Sequence, residues 1–509
     1  MSAQVLSVPL DRSPLAQLAD GSGAGQWFVQ RPATPDQWKE RAVLMRRSLI
    51  DNDWLSAMRP AFGTGGAAVA RLEAAAKSGV VVTTGQQPGL FGGPLYTWWK
   101  ALSALALADT LEKSIGMPVA PVFWAATDDS DFAEASSTVV ATQDGAERIT
   151  MAEPRGTGVA LAQVPLGDIT EQIRRLEAAA GSASAAMVLD LVRSAYSGDA
   201  TIGGAYVQLL RSILEPLGVS VLDAAHPAVR TAAHPLLVKS LERAGEIEAM
   251  LAERSRTLKA AGHAAQVKLV AGRSLAFAES NGKRERIMTR DAISAATSSA
   301  PGTLGPNVLL RPIVERSILP TVAYVGGPAE VAYFAQVTAV AEALDVAAPL
   351  VVPRWSGFVV EPRIGRILDR HGLKVEDFSD PHAVETRLAR ESIPPALTEA
   401  LEKLRSSVDK SIADLGSAGG EDLIPNGILE GLERNVLHRL ERLERRIAAG
   451  IKSRGTDGLR DAAIARGALS PFGSPQERSL NFVPLLARYG DELVEQLLTE
   501  IRAYIARIA

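Results

Sequence analysis

Four carboxylates crowd into one short segment of the chain, Asp128, Asp129, Asp131 and Glu134. Grouped carboxylates can hold a divalent metal ion, act as general bases or bind the ammonium group of a substrate. Crowding also raises their affinity for protons, which suits a general base if the site is buried. The spacing does not choose between these roles, and a solvated acidic loop is the alternative. Metal is the least favoured role, because the segment holds no histidine and the six histidines of the chain are scattered. We take Asp129, Asp131 and Glu134 as candidate catalytic residues and assign no metal ligand.

A glycine-rich turn precedes this segment, from Gly85 to Gly93, and opens a helical pattern. Unpaired N–H groups and the dipole at a helix N-terminus favour an anion such as phosphate or carboxylate. The turn is neither the phosphate-binding loop that ends in Gly-Lys-Ser/Thr nor the spaced dinucleotide fingerprint, so a purely structural turn is the alternative. Lys100, on the following helix, can face an anion and is a fourth candidate catalytic residue. The candidate binding residues of the turn are Gly85, Gln86, Gln87, Gly89, Gly92 and Gly93.

A second glycine turn, Gly326-Gly327-Pro328, lies later in the chain and also precedes a helical pattern. Arginines flank it, and an arginine near a sheet edge can bind a carboxylate or phosphate through two parallel hydrogen bonds. Taken singly, each arginine is more often a partner in a surface ion pair. The candidate binding residues in this region are Asn307, Arg311, Gly327, Glu330, Tyr333 and Arg354.

The elements predicted around these residues place them at one edge of a sheet. The run from Val80 to Thr84 predicts a strand, the spacing from Leu95 to Ile115 a helix, and the run from Val119 to Trp124 a second strand. Strands joined in this way are parallel, and open α/β sheets bind ligands at the carboxyl ends of their strands. The remaining predictions are strands at Val219 to Asp223, Val267 to Phe277 and Thr321 to Val325, and an insertion from about Gly145 to Leu166.

Beyond Val384 the chain changes to a charged, leucine-punctuated helical pattern. Apolar stripes run from Leu397 to Leu415 and from Leu429 to Ile451. The glycine-rich link from Gly416 to Gly427 lets the two helices fold back as an antiparallel pair. Such a hairpin commonly packs against a second copy, so we expect a homodimer; packing onto the core of the same chain is the alternative. The predicted domains are 1–383, an α/β core with inserted segments, 384–459, the helical arm, and 460–509, a segment that returns to the core.

Composition narrows the classes of function. The chain has 509 residues, of which 47% are hydrophobic, and a formal net charge of −4. Because the net charge is small and the acidic and basic residues are interspersed, neither nucleic acid nor a membrane is an expected partner. The absence of cysteine excludes disulfides, thiolate metal sites and a cysteine nucleophile. The first residues lack the pattern of a signal peptide, and we expect a cytoplasmic protein.

Five segments, taken in order, resemble the signature segments of the bacillithiol biosynthesis cysteine-adding enzymes. They are TGQQPGLFGGPLYTWWKALSAL, PVFWAATDDSDFAEA, PNVLLRPIVERSILPTVAYVGGPAEVAYF, VPRWS and SPFGSPQER, and together they span most of the chain. The resemblance implies an α/β fold with a Rossmann-like core, connecting insertions and an α-helical antiparallel coiled-coil arm. It also implies homodimerisation and a ligase that joins cysteine to the amine of glucosaminyl malate. Binding of ATP or ADP is implied by the fold resemblance, which leaves open the site of binding and the agent that activates the carboxyl group.

Under this ligase hypothesis, the first turn and Lys100 hold anionic groups. The acidic segment binds the cysteine ammonium group or takes a proton from the sugar amine. Arg311 or Arg354 binds the malate carboxylates. The other candidate residues that match the family's segments are Gly85, Gln86, Gln87, Gly89, Asn307, Gly327, Glu330 and Tyr333, whereas Gly92 stands where the family more usually has a threonine or serine.

One departure from the family's pattern concerns Ser130. The acidic segment of the family usually reads Glu-Asp-His-Asp-Phe, whereas this chain has Asp-Asp-Ser-Asp-Phe from Asp128 to Phe132. A serine hydroxyl does not titrate near neutrality, so we count Ser130 among the binding residues. The departure supports a second hypothesis, a divergent member that joins another amino acid or acceptor, or that binds a nucleotide or conjugate without this activity. A scaffold built on the helical arm is a third hypothesis, which does not account for polar signatures at one sheet edge.

Overall fold

The computed structural model describes residues 2–20, 24–49, 53–152, 158–280, 283–380, 382–454 and 457–509. They form two compact units. The sheet unit comprises Met1–Val140, Arg148–Val360 and Glu477–Ala509, and the arm unit comprises Ala141–Glu147 and Glu361–Gln476. Part of the predicted insertion, residues 153–157, lies outside the described residues.

The strands of the described residues are β1 (Gln4–Ser7), β2 (Val80–Gln86), β3 (Val119–Ala125), β4 (Ser137–Ala141), β5 (Ala146–Thr150), β6 (Ser220–Asp223), β7 (Arg273–Ser280), β8 (Lys283–Met288), β9 (Leu304–Pro306), β10 (Thr321–Gly326), β11 (Val351–Pro353) and β12 (Gly357–Val360). The first fifteen α-helices are α1 (Pro14–Gln17), α2 (Ala24–Trp27), α3 (Pro35–Arg47), α4 (Trp54–Met58), α5 (Gly66–Ser78), α6 (Leu95–Ile115), α7 (Phe132–Ala135), α8 (Thr170–Ala180), α9 (Met187–Ala195), α10 (Ile202–Leu214), α11 (Pro227–Glu242), α12 (Ala244–Ala260), α13 (Ala292–Ser298), α14 (Arg311–Ile318) and α15 (Pro328–Ala343). The later helices are α16 (Pro362–His371), α17 (Ala383–Glu391), α18 (Pro395–Leu423), α19 (Asn426–Arg454), α20 (Asp457–Leu469), α21 (Gln476–Ser479) and α22 (Val483–Ile505).

Five parallel strands form the central sheet of the sheet unit, in the order β11-β10-β2-β3-β6. Every residue of β3, and every residue of β2 except Gln86, is buried. Continuous apolar strands of this kind are typical of a parallel sheet covered on both faces. Helix α6 connects β2 to β3 and is buried around most of its circumference. It ends at Gly116, whose left-handed φ of 65° favours glycine. The predicted α/β core is confirmed.

A second, antiparallel sheet contains β8, β7 and β9 in that order. The predicted strand from Val267 to Phe277 is wrong in its first half, because β7 begins only at Arg273. Gly272 adopts a φ of 72°, a left-handed turn conformation that interrupts an extended run. The predicted strands at Val219 to Asp223 and Thr321 to Val325 correspond to β6 and β10.

In the arm unit, α18 and α19 form an antiparallel pair. Arg405 meets Glu444 at 3.4 Å, and a Cβ on Gly416 would meet Leu429, which fixes the opposite chain directions. The predicted antiparallel coiled coil is confirmed, although the link between its helices is shorter than the glycine-rich stretch, because α18 continues to Leu423. Five leucines of the pair are more than 40% exposed: Leu404, Leu415, Leu423, Leu432 and Leu443. The homodimer stays a prediction. No helix within the described ranges combines the length and apolarity that crossing a bilayer requires.

Candidate functional site

A cavity of about 510 Å³ opens at the carboxyl edge of the central sheet. Its walls come from the ends of β2, β3, β10 and β11 and from the antiparallel sheet of β7, β8 and β9. The predicted site residues that line it are Gly85, Gln86, Gln87, Lys100, Asp129, Ser130, Asn307, Arg311, Gly327, Glu330, Tyr333 and Arg354. The predicted residues that do not line it are Gly89, Gly92, Gly93, Asp131 and Glu134. The chain therefore brings most of the predicted residues together.

The first glycine turn divides into a half that lines the cavity and a half that packs inside the protein. In the first half, a Cβ on Gly85 would lie 2.8 Å from the Trp124 carbonyl oxygen, so the close pairing of β2 and β3 requires glycine there. In the second half, Gly92 has a φ of 86°, and a Cβ on it would lie 2.7 Å from the Trp98 ring. Gly92 thus shapes and packs the turn, away from any ligand in the cavity.

The N-terminus of α6 is covered by the C-terminal part of the sheet unit. The Leu95 N–H donates to the Leu480 carbonyl at 2.9 Å. The Asn481 side-chain amide, 2% exposed, lies within 3.3 Å of three turn carbonyls, those of Leu90, Phe91 and Gly93. The Leu95 N–H is therefore used by the protein itself and is not free to bind a phosphate.

The second glycine turn, in contrast, presents a helix N-terminus to the cavity. Gly327, Pro328, Ala329 and Glu330 all line the cavity at the start of α15. The positive end of the helix dipole lies here and stabilises negative charge. The Glu330 carboxylate already occupies part of this position, since its Oε2 accepts the Gly327 N–H at 2.7 Å.

Lys100 is 3% exposed, and acceptors surround its ammonium group. Its Nζ donates to the Gly85 carbonyl at 2.8 Å and to Gln86 Oε1 at 2.9 Å, and it forms an ion pair with Glu330. Burial lowers the pKa of Lys100, and the Glu330 carboxylate opposes that shift. Although burial disfavours the charged form of Glu330, its pKa is lowered by Lys100, the Tyr324 hydroxyl and the Gly327 N–H. With its three donors used, Lys100 holds the first turn against the second.

Arg311 continues this buried network. Its guanidinium donates to Glu315 at 3.2 Å and to the Tyr324 hydroxyl at 3.1 Å, and that hydroxyl donates to Glu330 at 2.6 Å. Thr83 donates its hydroxyl to Glu315 on the other side. Arg311 is therefore engaged by groups of the protein and links Glu315 to the Lys100 and Glu330 pair.

Replacing Glu315 by glutamine should change the pH dependence of stability. Burial raises the pKa of Glu315 from 4.5 to about 7, against the opposing effects of Arg311 and Thr83. A raised carboxyl pKa stabilises the folded state below the unfolded pKa, and this contribution is lost as the pH rises through about 7. Glutamine does not titrate. The difference in unfolding free energy between wild type and Glu315→Gln should therefore fall by about 3 kcal/mol between pH 4 and pH 8.

Chemical denaturation at both pH values measures this difference. The matched control is Glu399→Gln, which removes an exposed carboxylate in α18. A difference that stays constant from pH 4 to pH 8 would show that Glu315 titrates at an ordinary pKa.

Arg354 binds a carboxylate of the protein through two parallel hydrogen bonds. Its guanidinium meets Glu477 at 2.8 and 2.6 Å, and the Ser356 hydroxyl donates to the same carboxylate at 2.9 Å. Arg354 is 2% exposed. Both predicted arginine clamps, Arg311 and Arg354, thus hold acidic side chains of the chain itself.

Asn307 is one of the residues that line the cavity. Its Oδ1 accepts the N–H groups of Leu309 and Leu310 at 3.1 and 3.0 Å, which fixes the side chain before α14. Its side-chain hydrogen bonds among the described residues are both made by Oδ1, which leaves Nδ2 without a partner there. The free Nδ2 is suited to binding a substrate oxygen.

The predicted acidic residues maintain the shape of their own loop. Asp129 accepts from the Gln87 amide and from the Asp131 N–H, both at 2.9 Å. Asp131 caps α7 by accepting the Glu134 N–H at 3.1 Å. The pKa of Glu134 is raised by burial first, and then by the charges of Asp131 and Asp129. Ser130 lines the cavity between these carboxylates.

Several cavity residues were not among the predicted site residues: Asp128, which the acidic segment contains, and Phe277, Arg284, Arg286 and Arg478. Within the described residues, the guanidinium groups of Arg286 and Arg478 make no ion pair or hydrogen bond, unlike those of Arg311 and Arg354. Arg284 and Arg286 lie 4.7 and 5.3 Å from the centre of the Phe277 ring. The two-residue spacing of Arg284 and Arg286, which puts both on one face of a strand, was the available signal.

The carboxylates near the cavity are not grouped as metal ligands in the part of the chain that the structure describes. Across the residues that the structure describes, no group of three or more histidine, aspartate and glutamate side chains is arranged to hold a metal ion. The carboxylates at the cavity face guanidinium and amide groups instead, such as Arg284 beside Asp128 and Gln87 beside Asp129.

Comparison with known proteins agrees with this architecture. Residues 18–355 match the family model "Bacillithiol biosynthesis BshC, N-terminal Rossmann-like domain", and residues 357–505 match "Bacillithiol biosynthesis BshC, C-terminal coiled-coil domain". A protein of Solibacter usitatus named "Putative cysteine ligase BshC" is 32% identical over 439 residues, which cover 83% of this chain and 82% of that protein. Proteins of the same name from Koribacter versatilis and Symbiobacterium thermophilum are 31% and 27% identical, over 87% and 94% of this chain and 86% and 94% of their own lengths. The chain belongs to the bacillithiol biosynthesis BshC family.

Proposed function

We propose that this protein is a ligase that joins the carboxyl group of cysteine to the amine of glucosaminyl malate, and that the cavity at the sheet edge is its active site. The names of its relatives support a cysteine ligase. The observation that carries the proposal is that one cavity of about 510 Å³ holds both carboxylates and the guanidinium groups of Arg286 and Arg478, which form no ion pair among the described residues. Glucosaminyl malate has an amine at one end and two carboxylates at the other. Its charges therefore complement those of the carboxylates and guanidinium groups in the cavity.

The proposed roles differ from those assigned from the sequence. Amide formation requires a neutral amine and an activated carboxyl group, because a free carboxylate is a poor electrophile. Arg286, Arg478 and the Asn307 Nδ2 bind the malate carboxylates, since Arg311 and Arg354 are already paired. Lys100 and Glu330 fix the two glycine turns that form the floor of the site.

Cellular thiol analysis tests this function without assuming an activating agent. Mass spectrometry of the source organism should show bacillithiol in the parent strain. It should show bacillithiol lost and glucosaminyl malate accumulated after deletion of the gene, and complementation should restore the thiol. An unchanged bacillithiol level after deletion would contradict the proposal.

A divergent activity is the second candidate, and Ser130 is the observation that favours it. Ser130 lines the cavity at the position where the family's pattern usually has a histidine. If the proposed cysteine ligase does not depend on an imidazole there, Ser130→His should change kcat/KM for cysteine ligation by no more than about threefold, which is well under 1 kcal/mol. Steady-state kinetics of the two proteins measure this. A gain of about tenfold or more, equivalent to 1.4 kcal/mol, would indicate a site adapted to another substrate.

A further inference from the structure

Asp128 differs from the other three carboxylates of the acidic segment in what its side chain contacts. Asp129 accepts two hydrogen bonds, from Gln87 and Asp131, and Asp131 caps α7. Glu134 is not among the residues that line the cavity. Asp128 lines the cavity, and no other residue that the structure describes donates a hydrogen bond to its carboxylate. Of the four carboxylates, it has the most acceptor capacity available to a ligand.

One arginine fixes the surroundings of this carboxylate. Arg284 donates to the main-chain carbonyls of Asp128 and Pro306, at 2.7 and 3.1 Å, and its guanidinium lies over the Phe277 ring. The shortest distance from that guanidinium to the Asp128 carboxylate is 3.9 Å. The cation therefore holds the loop in place and keeps the carboxylate near a positive charge without forming a direct hydrogen bond to it.

We propose that Asp128 is the general base of the ligase, the group that takes a proton from the substrate ammonium ion. This rests on the proposed function. The N–H bond of the ammonium ion breaks, its electron pair stays on nitrogen as the nucleophilic lone pair, and the proton forms an O–H bond with the Asp128 carboxylate. Arg284 acts as a positioning residue for that carboxylate.

The charges around Asp128 suit this step. Burial raises the pKa of Asp128, and the neighbouring Asp129 raises it further, whereas Arg284 and Arg311 lower it. A carboxylate whose pKa is raised towards neutrality is a stronger proton acceptor than one in water. The same carboxylate can attract the ammonium group before the proton moves.

The test uses the full-length protein with cysteine, glucosaminyl malate and an activating co-substrate, and it measures kcat from pH 6 to pH 9. Asp128→Asn should lower kcat at neutral pH by about 10²- to 10⁴-fold, the usual contribution of general base catalysis. Its kcat should keep rising by about tenfold per pH unit as the free amine accumulates, while the wild-type kcat levels off. Asp128→Glu, which keeps a carboxylate, should retain more activity than Asp128→Asn at every pH.

Two variants serve as references. Asp144→Asn removes an exposed carboxylate outside the cavity and should leave kcat and its pH profile unchanged. Glu134→Gln should not reproduce the tenfold rise per pH unit that a lost base causes, a slope of about one in log kcat. If the kcat of Asp128→Asn lay within about threefold of wild type, Asp128 would not be the base. The same would follow if Glu134→Gln, and not Asp128→Asn, showed the tenfold rise per pH unit. Neither result would contradict the ligase activity itself. No product from the wild-type protein with any activating co-substrate would overturn both.

Discussion

Replacing Lys100 by methionine is expected to lower the unfolding free energy by about 3–5 kcal/mol, the usual cost of removing one partner of a buried ion pair. The Glu330 carboxylate, whose side chain is 17% exposed, would keep its charge beside the cavity without its cation. The Gly85 carbonyl and Gln86 would lose the donor that joins the two glycine turns. Ligase activity should fall as well, because these turns form the floor of the proposed site.

A double-mutant cycle separates the pair from its surroundings. Glu330→Gln alone should also be destabilising, whereas Lys100→Met with Glu330→Gln should cost clearly less than the sum of the two single changes. Chemical denaturation of the four proteins gives the coupling energy. The matched control is Lys113→Met on the same helix, where the lysine is exposed and a loss of no more than about 1 kcal/mol is expected. If the two single changes were additive and each lowered the unfolding free energy no more than Lys113→Met does, the ion pair would contribute little to stability.

The second large effect is expected at Asn481. Replacement by alanine should cost about 3 kcal/mol or more, since a single buried group left without its hydrogen bonds already costs about 1–3 kcal/mol. The Asn481 amide bonds carbonyls of the first glycine turn and the Thr138 hydroxyl, and its Oδ1 accepts the Val483 N–H at 2.9 Å. Its loss would leave groups on both sides unsatisfied.

Denaturant titration with a matched control measures this effect. Asn435→Ala changes an exposed asparagine in α19 and should lie within about 0.5 kcal/mol of wild type. Asn481→Asp should be no better than Asn481→Ala, because a carboxylate would face the turn carbonyls without a proton to donate. If Asn481→Ala were as stable as the control, the C-terminal segment would not be what holds the first glycine turn.

The parts of the fold that the sequence predicts are those decided by neighbouring residues. The β2, α6 and β3 unit follows from two continuous apolar strands and a helix whose end is marked by Gly116. The edge of the sheet where polar residues gather follows from the parallel arrangement alone. The start of β7 was missed because the apolar run from Val267 continues across a turn that only the left-handed Gly272 reveals.

The sequence could bring together most of the residues of the candidate cavity, but not the partners of its charged groups. Arg311 and Arg354 are residues of the type that binds a ligand carboxylate. The neighbouring sequence does not show that Glu315 and Glu477 already pair with them. Asn481 lies 388 to 391 positions from the turn carbonyls that it bonds, a contact that no local pattern encodes. Distant contacts of this kind determine which side chains remain available to a substrate.

The most direct test of the central claim is the reaction itself, carried out with purified protein. Cysteine, glucosaminyl malate and ATP, or another activating co-substrate, are incubated with the protein beside an active member of the family, and the products are separated by mass spectrometry. The proposed function predicts a new thiol with the mass of bacillithiol, formed by wild type and reduced at least about 10²-fold in Asp128→Asn. No thiol product from this protein with any co-substrate, while the other family member is active, would contradict it.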